Sequence, residues 1–453
     1  MPDNSGSLNV AIVGGGIVGL IMAAGLQRRN INVTIYEQAR AFRELGTGIA
    51  FNPAAQGCLE MIDPGLTVAL QKGGAVGLSA FNDEEMNDCL RWIDGYNQRQ
   101  PDDPDYQKFY LKTDAGYRGI QGIRRDHLLE QLTKLFPEEA LKFKKRLVSI
   151  EDNDHDDQVI LTFDDGTTAT ADAVIGCDGI KSKTRELIVG PGSIAGTPTY
   201  THVNSYPTVI AMDKAVSILG ETKAKAFHNH LGPNANLLHY PVANGTMCNV
   251  TVFIRNPDEW PEDKPTSLMG HKADILDHYK NWNPVVCKLI DALPDQLPTW
   301  AVFDLWEYPI PYYNKGRVCV AGDAAHASSP HHGAGAGMGI EDALCLATLL
   351  SEVGLTLRQG QASKFNALAT AFKAYDASRR PRSQWLVNSS RRICDLHQQE
   401  EWGDATKWIK AETTLEEIRD RTDRIWNFDY RGMVQDAVAD YVRSIRQHKH
   451  KSI

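Results

Sequence analysis

Residues 316–343 read GRVCVAGDAAHASSPHHGAGAGMGIEDA. Arg317 to Ala321 is an apolar run with the character of a buried parallel strand. Gly322 and Asp323 follow as a turn, then a glycine-rich loop, then a helix opening near Gly337. Asp323 falls at the carboxyl end of the strand, where ligands of open α/β sheets bind, and its short carboxylate can accept hydrogen bonds from a ligand hydroxyl. Gly333, Gly335, Gly337 and Gly339 remove the side chain from alternate positions. Such a backbone can press against a flat or anionic ligand and offer N–H groups from a helix N-terminus. Ordered apolar segments on both sides argue against a merely flexible linker.

The N-terminal region supplies a matching half. Leu8 to Val13 is a short β-rich run, and Gly14-Gly15-Gly16-Ile17-Val18-Gly19 fits GxGxxG. A helix is expected from Ile17 to Arg29, then a strand from Asn32 to Tyr36 that ends in Glu37. Gly14 permits the tight turn, Gly16 the approach of a pyrophosphate, and Gly19 the packing of helix on strand. Glu37 stands where an acid accepts hydrogen bonds from an adenosine ribose and would repel a 2′-phosphate, so NADP is not expected in this site. This unit alone does not separate NAD from FAD. Gly46 and Gly48 lie in an extended segment that leaves the unit, as a ligand longer than NAD would require, with Arg43 and Arg125 as candidate phosphate or flavin contacts.

Working outward, the chain has 453 residues, enough for two or three domains. It is 42% hydrophobic and 23% charged, as in ordinary globular proteins. A net charge of −9 argues against nucleic acid as the main partner. No apolar run is long enough for a membrane span. The polar N-terminus lacks the pattern of a secretory signal, so a cytoplasmic location is expected. The eight cysteines form no CxxC and no zinc pattern, and no metal site is read.

Val76 to Tyr106 reads as an irregular acidic insertion. Gly119 to Leu135 turns into a helix with Leu128, Leu129 and Leu132 on one face and Arg124 and Arg125 at its start. Lys142 to Ala171 alternates as a meander with two hairpin turns. A buried strand then ends at Asp178, with Ser182 and Arg185 opening a helix; Arg185 is placed to bind an anion or to pair with Asp178. Gly196 to Trp300 has strand-like runs rich in Tyr and His, which suits a second, mainly antiparallel sheet facing a flat, hydroxylated ligand. Glu341 to Gln359 reads as an amphipathic helix, and a further helix is expected to kink at Pro381, with RRPR (379–382) on its surface. Leu396 to the end is helical and charge-mixed.

Three motifs in order carry a family resemblance: Gly14-x-Gly16-x-x-Gly19 with Glu37; Cys177-Asp178-Gly179-x-x-Ser182-x-x-Arg185; and Gly322-Asp323-Ala324-Ala325-His326 with Pro330 and Glu341-Asp342-Ala343. Together they resemble the single-component FAD-dependent aromatic hydroxylases (group A flavoprotein monooxygenases), in particular the fungal, salicylate-hydroxylase-like group. The resemblance covers about residues 8 to 395.

It implies an α/β fold, with a Rossmann-like FAD-binding domain, an inserted mainly antiparallel substrate sheet and C-terminal helices. The expected division is 1–75, 107–195 and 301–375 for the FAD-binding domain, 76–106 and 196–300 for the substrate domain, and 376–453 for the helical region. One FAD is implied, with its adenosine at Gly14–Glu37, its ribitol near Asp323, its phosphate or ribityl region near Arg125 and its ring beside Pro330 to Gly339. That makes Gly14, Gly16, Gly19, Glu37, Gly48, Arg125, Asp178, Asp323, Pro330, Gly333, Gly335 and Ala336 the expected cofactor residues. NADH or NADPH would bind transiently as co-substrate, and O2 would be activated as a flavin C4a-hydroperoxide that hydroxylates a small phenolic or aryl-acid ring. Decarboxylation and dearomatisation remain open outcomes.

Tyr240, His331 and His239 are the expected catalytic residues, His228 a further candidate base, although strand alternation lets only one of His239 and Tyr240 face the pocket. Relatives that dearomatise phenols carry Tyr-Arg where this chain has Tyr206-Pro207, and no carboxylate partner stands out; His202 is a nearby substitute. The competing readings are a flavin monooxygenase of an indole or alkene, a non-catalytic binder on an FAD fold, and a plain NAD-dependent dehydrogenase, which Asp178-Gly179 and Gly322-Asp323 disfavour.

Overall fold

The computed structural model describes residues 8–41, 46–77, 89–97, 102, 106–153, 157–261, 263–404 and 408–451. Arg43 lies outside them.

The apolar runs that open the chain become a parallel sheet. Its strands lie in the order Val318–Val320, Ala173–Gly176, Asn9–Val13, Asn32–Tyr36, Leu141–Lys142, with Asn314–Lys315 added antiparallel at one edge. Three segments far apart in sequence thus end side by side, at Val13, Gly176 and Val320. Helix Ile17–Gln27 leaves the first strand with no charged residue, because both of its faces are covered. Gly19 makes this possible: a Cβ there would lie 2.0 Å from the Gly14 carbonyl oxygen. Leu147–Glu151, Val159–Phe163 and Thr168–Ala171 form the expected meander.

A second sheet of eight strands is mainly antiparallel: Ser267–His271, Gln296–Asp304, Thr199–Ala211, Met247–Arg255, Ala235–Val242, Phe227–Gly232, Cys89–Asp94 and Phe109–Asp114. Its last two strands correct the sequence reading. The stretch expected to be irregular contributes Cys89–Asp94, and Phe109–Asp114, grouped by sequence with the cofactor half, pairs with it. Residues 301–304 likewise continue a strand of this sheet. Neither six-residue run, CLRWID or FYLKTD, alternates apolar with polar, so the strand period does not show. One face of the sheet packs on helices Met212–Leu219, Ala273–Tyr279 and Pro284–Asp291 through Leu237, Val250, Val252, Tyr279 and Leu289. The other face looks toward the parallel sheet.

Gly335–Arg358 is one helix, buried nearly all round as far as Leu350 rather than amphipathic. It runs through the centre of the main core, against helices Ile17–Gln27 and Pro53–Ile62. Lys364–His397 is a continuous helix that includes Pro381. Helices Trp408–Trp426 and Tyr430–Lys451 follow, the latter placing Met433, Ala437, Tyr441 and Ile445 into the same core. No described helix is long and apolar enough to cross a membrane.

The RRPR stretch also differs from expectation. Arg379 is fully buried, its Nε donating to Asp342 (2.9 Å), with Glu341 2.8 Å from its Nη1. Arg382 is nearly buried, clamped on Glu341 (2.7 Å) with its guanidinium 3.3 Å from the Phe428 ring centre. Only Arg380 keeps a partly exposed pairing, with Asp376. The carboxylates that draw the other two inward belong to the Glu341-Asp342 pair, a coupling that local sequence does not reveal.

Candidate active site

The two sheets enclose a cavity of about 390 Å³. One end is made by Gly16, Ile17, Cys177, Gly179, Ala321 and Asp323, the carboxyl ends of the parallel strands and the turns after them. Its middle is the loop Pro330–Ala336. Its far wall is the inner face of the eight-stranded sheet.

The first end suits a dinucleotide. Gly14 bends at φ +106°, where a Cβ would lie 2.4 Å from the Cys177 carbonyl oxygen. A Cβ on Gly16, in contrast, would meet nothing within 4 Å. The helix that starts at Ile17 has no side-chain cap, so its first N–H groups face this open space. A second uncapped helix N-terminus, at Gly335, borders the same cavity. Two such ends favour bound negative charge. Asp323 is exposed toward the cavity at the strand end. Arg125 opens helix Arg125–Thr133, its backbone N–H donating to Thr47 (2.9 Å), and lines the cavity. Its neighbour Arg124 turns away to pair with Asp126 at 2.8 Å.

Several predicted residues have structural employment here. Glu37 accepts from the backbone N–H of Gly15 and of Ala39, both at 2.7 Å, and so braces the glycine loop; each oxygen retains a lone pair for a ribose hydroxyl. Asp178 does not line the cavity. Its carboxylate accepts from Ser182 Oγ (2.6 Å) and from the Thr184 N–H (2.9 Å), holding the start of helix Lys183–Val189. Burial pushes its pKa up, against those hydrogen bonds. Arg185 makes no direct bond to Asp178; it donates to the carbonyls of Ala324 (3.1 Å) and Ile180 (2.5 Å). Gly48 borders the cavity, where a Cβ would strike Asn249 and the Tyr240 hydroxyl at 2.7 Å.

The four alternate glycines divide. Gly333, at φ +60°, and Gly335 open onto the cavity. Gly337 and Gly339 instead let the helix pack: Cβ atoms there would lie 3.3 Å from Ala55 and 2.4 Å from Val18. The turn itself hangs on Asp342, which accepts from the Gly322 N–H (3.0 Å) and bonds His326 Nε2 (2.6 Å) and Arg379. Burial alone would raise the Asp342 pKa, but His326 and Arg379 outweigh it and hold it at about 2.

The far wall is built by strand alternation. Phe227, Asn229, Leu238, Tyr240, Thr251 and Phe253 share the inner face. Tyr240 lines the cavity beside Phe227, ring centres 4.6 Å apart, and burial pushes its phenol above the ordinary range. His239 therefore points to the other face. It packs between His228 and His230, both 5.2 Å away, and none of the three lines the cavity. The expectation of His239 as a base is corrected by this geometry, and so is that of His228. His331 does line the cavity, against Phe253, with its pKa driven well down by burial. Pro207 is in the wall, whereas His202 is outside, on the Asn256 carbonyl and near Glu259.

Wall residues that were not foreseen include Phe227, Phe253, Asn229, Trp300, His397 and Trp426. The last two come from the C-terminal helices. Only the alternation around Asn229, in the run Phe227–Gly232, offered a signal.

A family model described as an FAD binding domain matches residues 7–390. A salicylate hydroxylase, asL1, of Sarocladium schorii is 51% identical over 450 residues, 98% of this chain and 92% of the relative. The chain belongs to the salicylate-hydroxylase-like, FAD-dependent monooxygenases. A second member, the FAD-dependent monooxygenase eupB of a Phoma species, is 49% identical over 94% of this chain and 97% of its own. The fold of this monooxygenase also matches a salicylate hydroxylase solved as a substrate complex, with TM-score 0.79 at 24% identity over 96% of this chain and 98% of the other. The HpxO protein of Klebsiella pneumoniae, solved with FAD and uric acid, gives TM-score 0.71 at 22% identity over 96% and 99% of the two chains. As a member of this family the chain is a flavoprotein that binds FAD.

Proposed function

We propose that this monooxygenase uses NADH or NADPH and O2 to hydroxylate a phenolic or aryl-acid ring held against the inner face of the eight-stranded sheet. The observation that carries this reading is the continuity of the cavity. One continuous space joins the uncapped helix ends and Asp323 to an aromatic wall that includes Phe227, Tyr240, Phe253 and Trp300.

In this reading Gly14, Gly16, Gly19, Glu37, Arg125 and Asp323 hold the adenosine, pyrophosphate and ribitol of FAD. Pro330, Gly333, Gly335 and Ala336 lie along its ring system, with Gly48 facing them. Bound FAD supplies hydride acceptance and oxygen activation. The protein excludes water, stacks the substrate ring and fixes its hydroxyl. Tyr240 keeps its proton and donates a hydrogen bond to the substrate oxygen. His331, which burial keeps neutral, can accept a hydrogen bond from the substrate hydroxyl. The 51% identical relative named as a salicylate hydroxylase supports an aromatic substrate.

The test is a visible spectrum of the purified protein followed by NAD(P)H oxidation with phenols, salicylates and indoles. A yellow protein whose oxidation rate rises only with a phenol or aryl acid is the expected outcome. Stimulation by an indole alone would move the substrate class, and a colourless protein that takes up no FAD would overturn the reading.

A further inference from the structure

His332 lies on the loop at the middle of the cavity and is tied from behind to two helices. Its Nε2 meets Ser389 Oγ at 2.9 Å. Ser389 is fully buried in helix Lys364–His397. The same Oγ accepts from Arg421 Nη1, on helix Trp408–Trp426, also at 2.9 Å. Arg421 is itself held by Glu417 at 2.7 Å, and Glu417 also takes Arg392 at 2.6 Å.

These contacts fix a proton. A guanidinium can only donate, so Ser389 Oγ accepts from Arg421 and keeps its own hydrogen to give. On the same helix Ser383 gives its hydroxyl hydrogen to the Arg379 carbonyl, 2.9 Å away. Among the described residues Ser389 has one acceptor, His332 Nε2. Nε2 therefore accepts, and the proton of the neutral imidazole sits on Nδ1. Burial, then the charges of His397 and Arg421, push the His332 pKa down to about 3, so the ring is neutral near pH 7. Its Nδ1–H has no hydrogen-bond partner among the described residues, and His332 lines the cavity.

We propose that His332 donates Nδ1–H to the ring system of bound FAD and stabilises its reduced form, with Ser389 and Arg421 as positioning residues that hold the imidazole in the donating tautomer. The proposal rests on the reading above that Pro330 to Ala336 lie along the FAD ring. Reduction moves a hydride, two electrons with one proton, from NAD(P)H to the ring and leaves NAD(P)+. The ring gains negative charge, and a fixed N–H donor binds that charge more strongly than it binds the neutral oxidised ring. A tenfold preference of this kind raises the two-electron midpoint potential by about 30 mV.

The experiment measures that potential on the FAD-loaded protein by dye-coupled reduction, with no NAD(P)H and no aromatic present, alongside the flavin-to-protein ratio. His332→Phe should lower the potential by about 30 mV, a tenfold loss of preference for the reduced flavin, with flavin still bound. Ser389→Ala should lower it about threefold in the same preference, or about 15 mV, because the ring is then free to carry its proton on Nε2. His332→Asn, whose amide places an N–H near the position of Nδ1, should restore most of the wild-type value. Equal falls in His332→Phe and His332→Asn, or no fall in His332→Phe, would overturn the proposal whether or not Ser389→Ala folds. An unchanged potential in Ser389→Ala would overturn the positioning role. A protein that takes up FAD and shows no shift defeats this proposal alone; one that takes up no FAD defeats the reading of the cavity as well.

Discussion

Single residues in this cavity divide into those that shape the backbone and those that meet the ligand. Gly16 and Gly339 are a matched pair for this distinction. A Cβ on Gly16 meets open space at an ordinary φ of −68°, so Gly16→Ala should leave the thermal midpoint of the apoprotein unchanged while FAD retention falls at least about tenfold. A Cβ on Gly339 would lie 2.4 Å from Val18, so Gly339→Ala should cost about 1–3 kcal/mol of stability in the apoprotein. Thermal scans and flavin-to-protein ratios of the two variants check both statements. Tyr240 belongs to the ligand-facing group. Because burial raises its pKa, it stays protonated across the working range and serves as a donor rather than a base. Tyr240→Phe should lower kcat/KM about tenfold with flavin content unchanged. The motif glycines and Asp323 were legible from sequence because a single loop must accommodate them. Whether Glu37 and Asp178 serve ligand or loop was not legible, since an acid at a strand end reads alike in either role.

At the scale of elements, the turn after strand Val318–Val320 is held by a buried ionic network. Asp342 bonds the Gly322 N–H, His326 and Arg379; Glu341 takes Arg379 and Arg382. This joins helix Gly335–Arg358 to helix Lys364–His397 directly beneath Asp323. Asp342→Asn leaves Arg379 and His326 facing a neutral amide, and should cost about 3–5 kcal/mol. Chemical denaturation of the variant, with flavin release followed in parallel, is the check; release should precede unfolding if the turn loosens first. The helices themselves were readable from their apolar positions. Their mutual ion pairs were not, because RRPR has the composition of a solvated face until Glu341 and Asp342 are brought against it. The eight-stranded sheet was readable as a class from its alternating runs. Two of its strands were missed, as neither CLRWID nor FYLKTD alternates, and they owe their place to pairing with Phe227–Gly232 and with each other.

For the whole molecule, the buried histidines dominate the response to acid. His228, His230, His239, His331, His332 and His397 all have pKa values lowered by burial. In the unfolded chain they titrate near about 6.5. Unfolding therefore takes up protons below that pH, so the folded state is at full advantage above it and loses stability as pH falls toward about 3. Each imidazole contributes up to about 1.4 kcal/mol per pH unit in that window. Urea midpoints measured between pH 7.5 and 5 should fall steeply; a flat profile would contradict the burial of these rings. The order of the three motifs in sequence pointed to the family and to the two-sheet architecture. The contribution of the C-terminal helices to the cavity did not show, because His397 and Trp426 reach it only through tertiary packing.

The central claim is that this cavity couples bound FAD to oxygenation of an aromatic ring. Turnover of the best-binding aromatic under oxygen-18 gas, with the product weighed by mass spectrometry, tests it most directly. The account predicts one oxygen-18 atom in each product molecule. Unlabelled product, or NAD(P)H consumption with no oxygenated product, would contradict it.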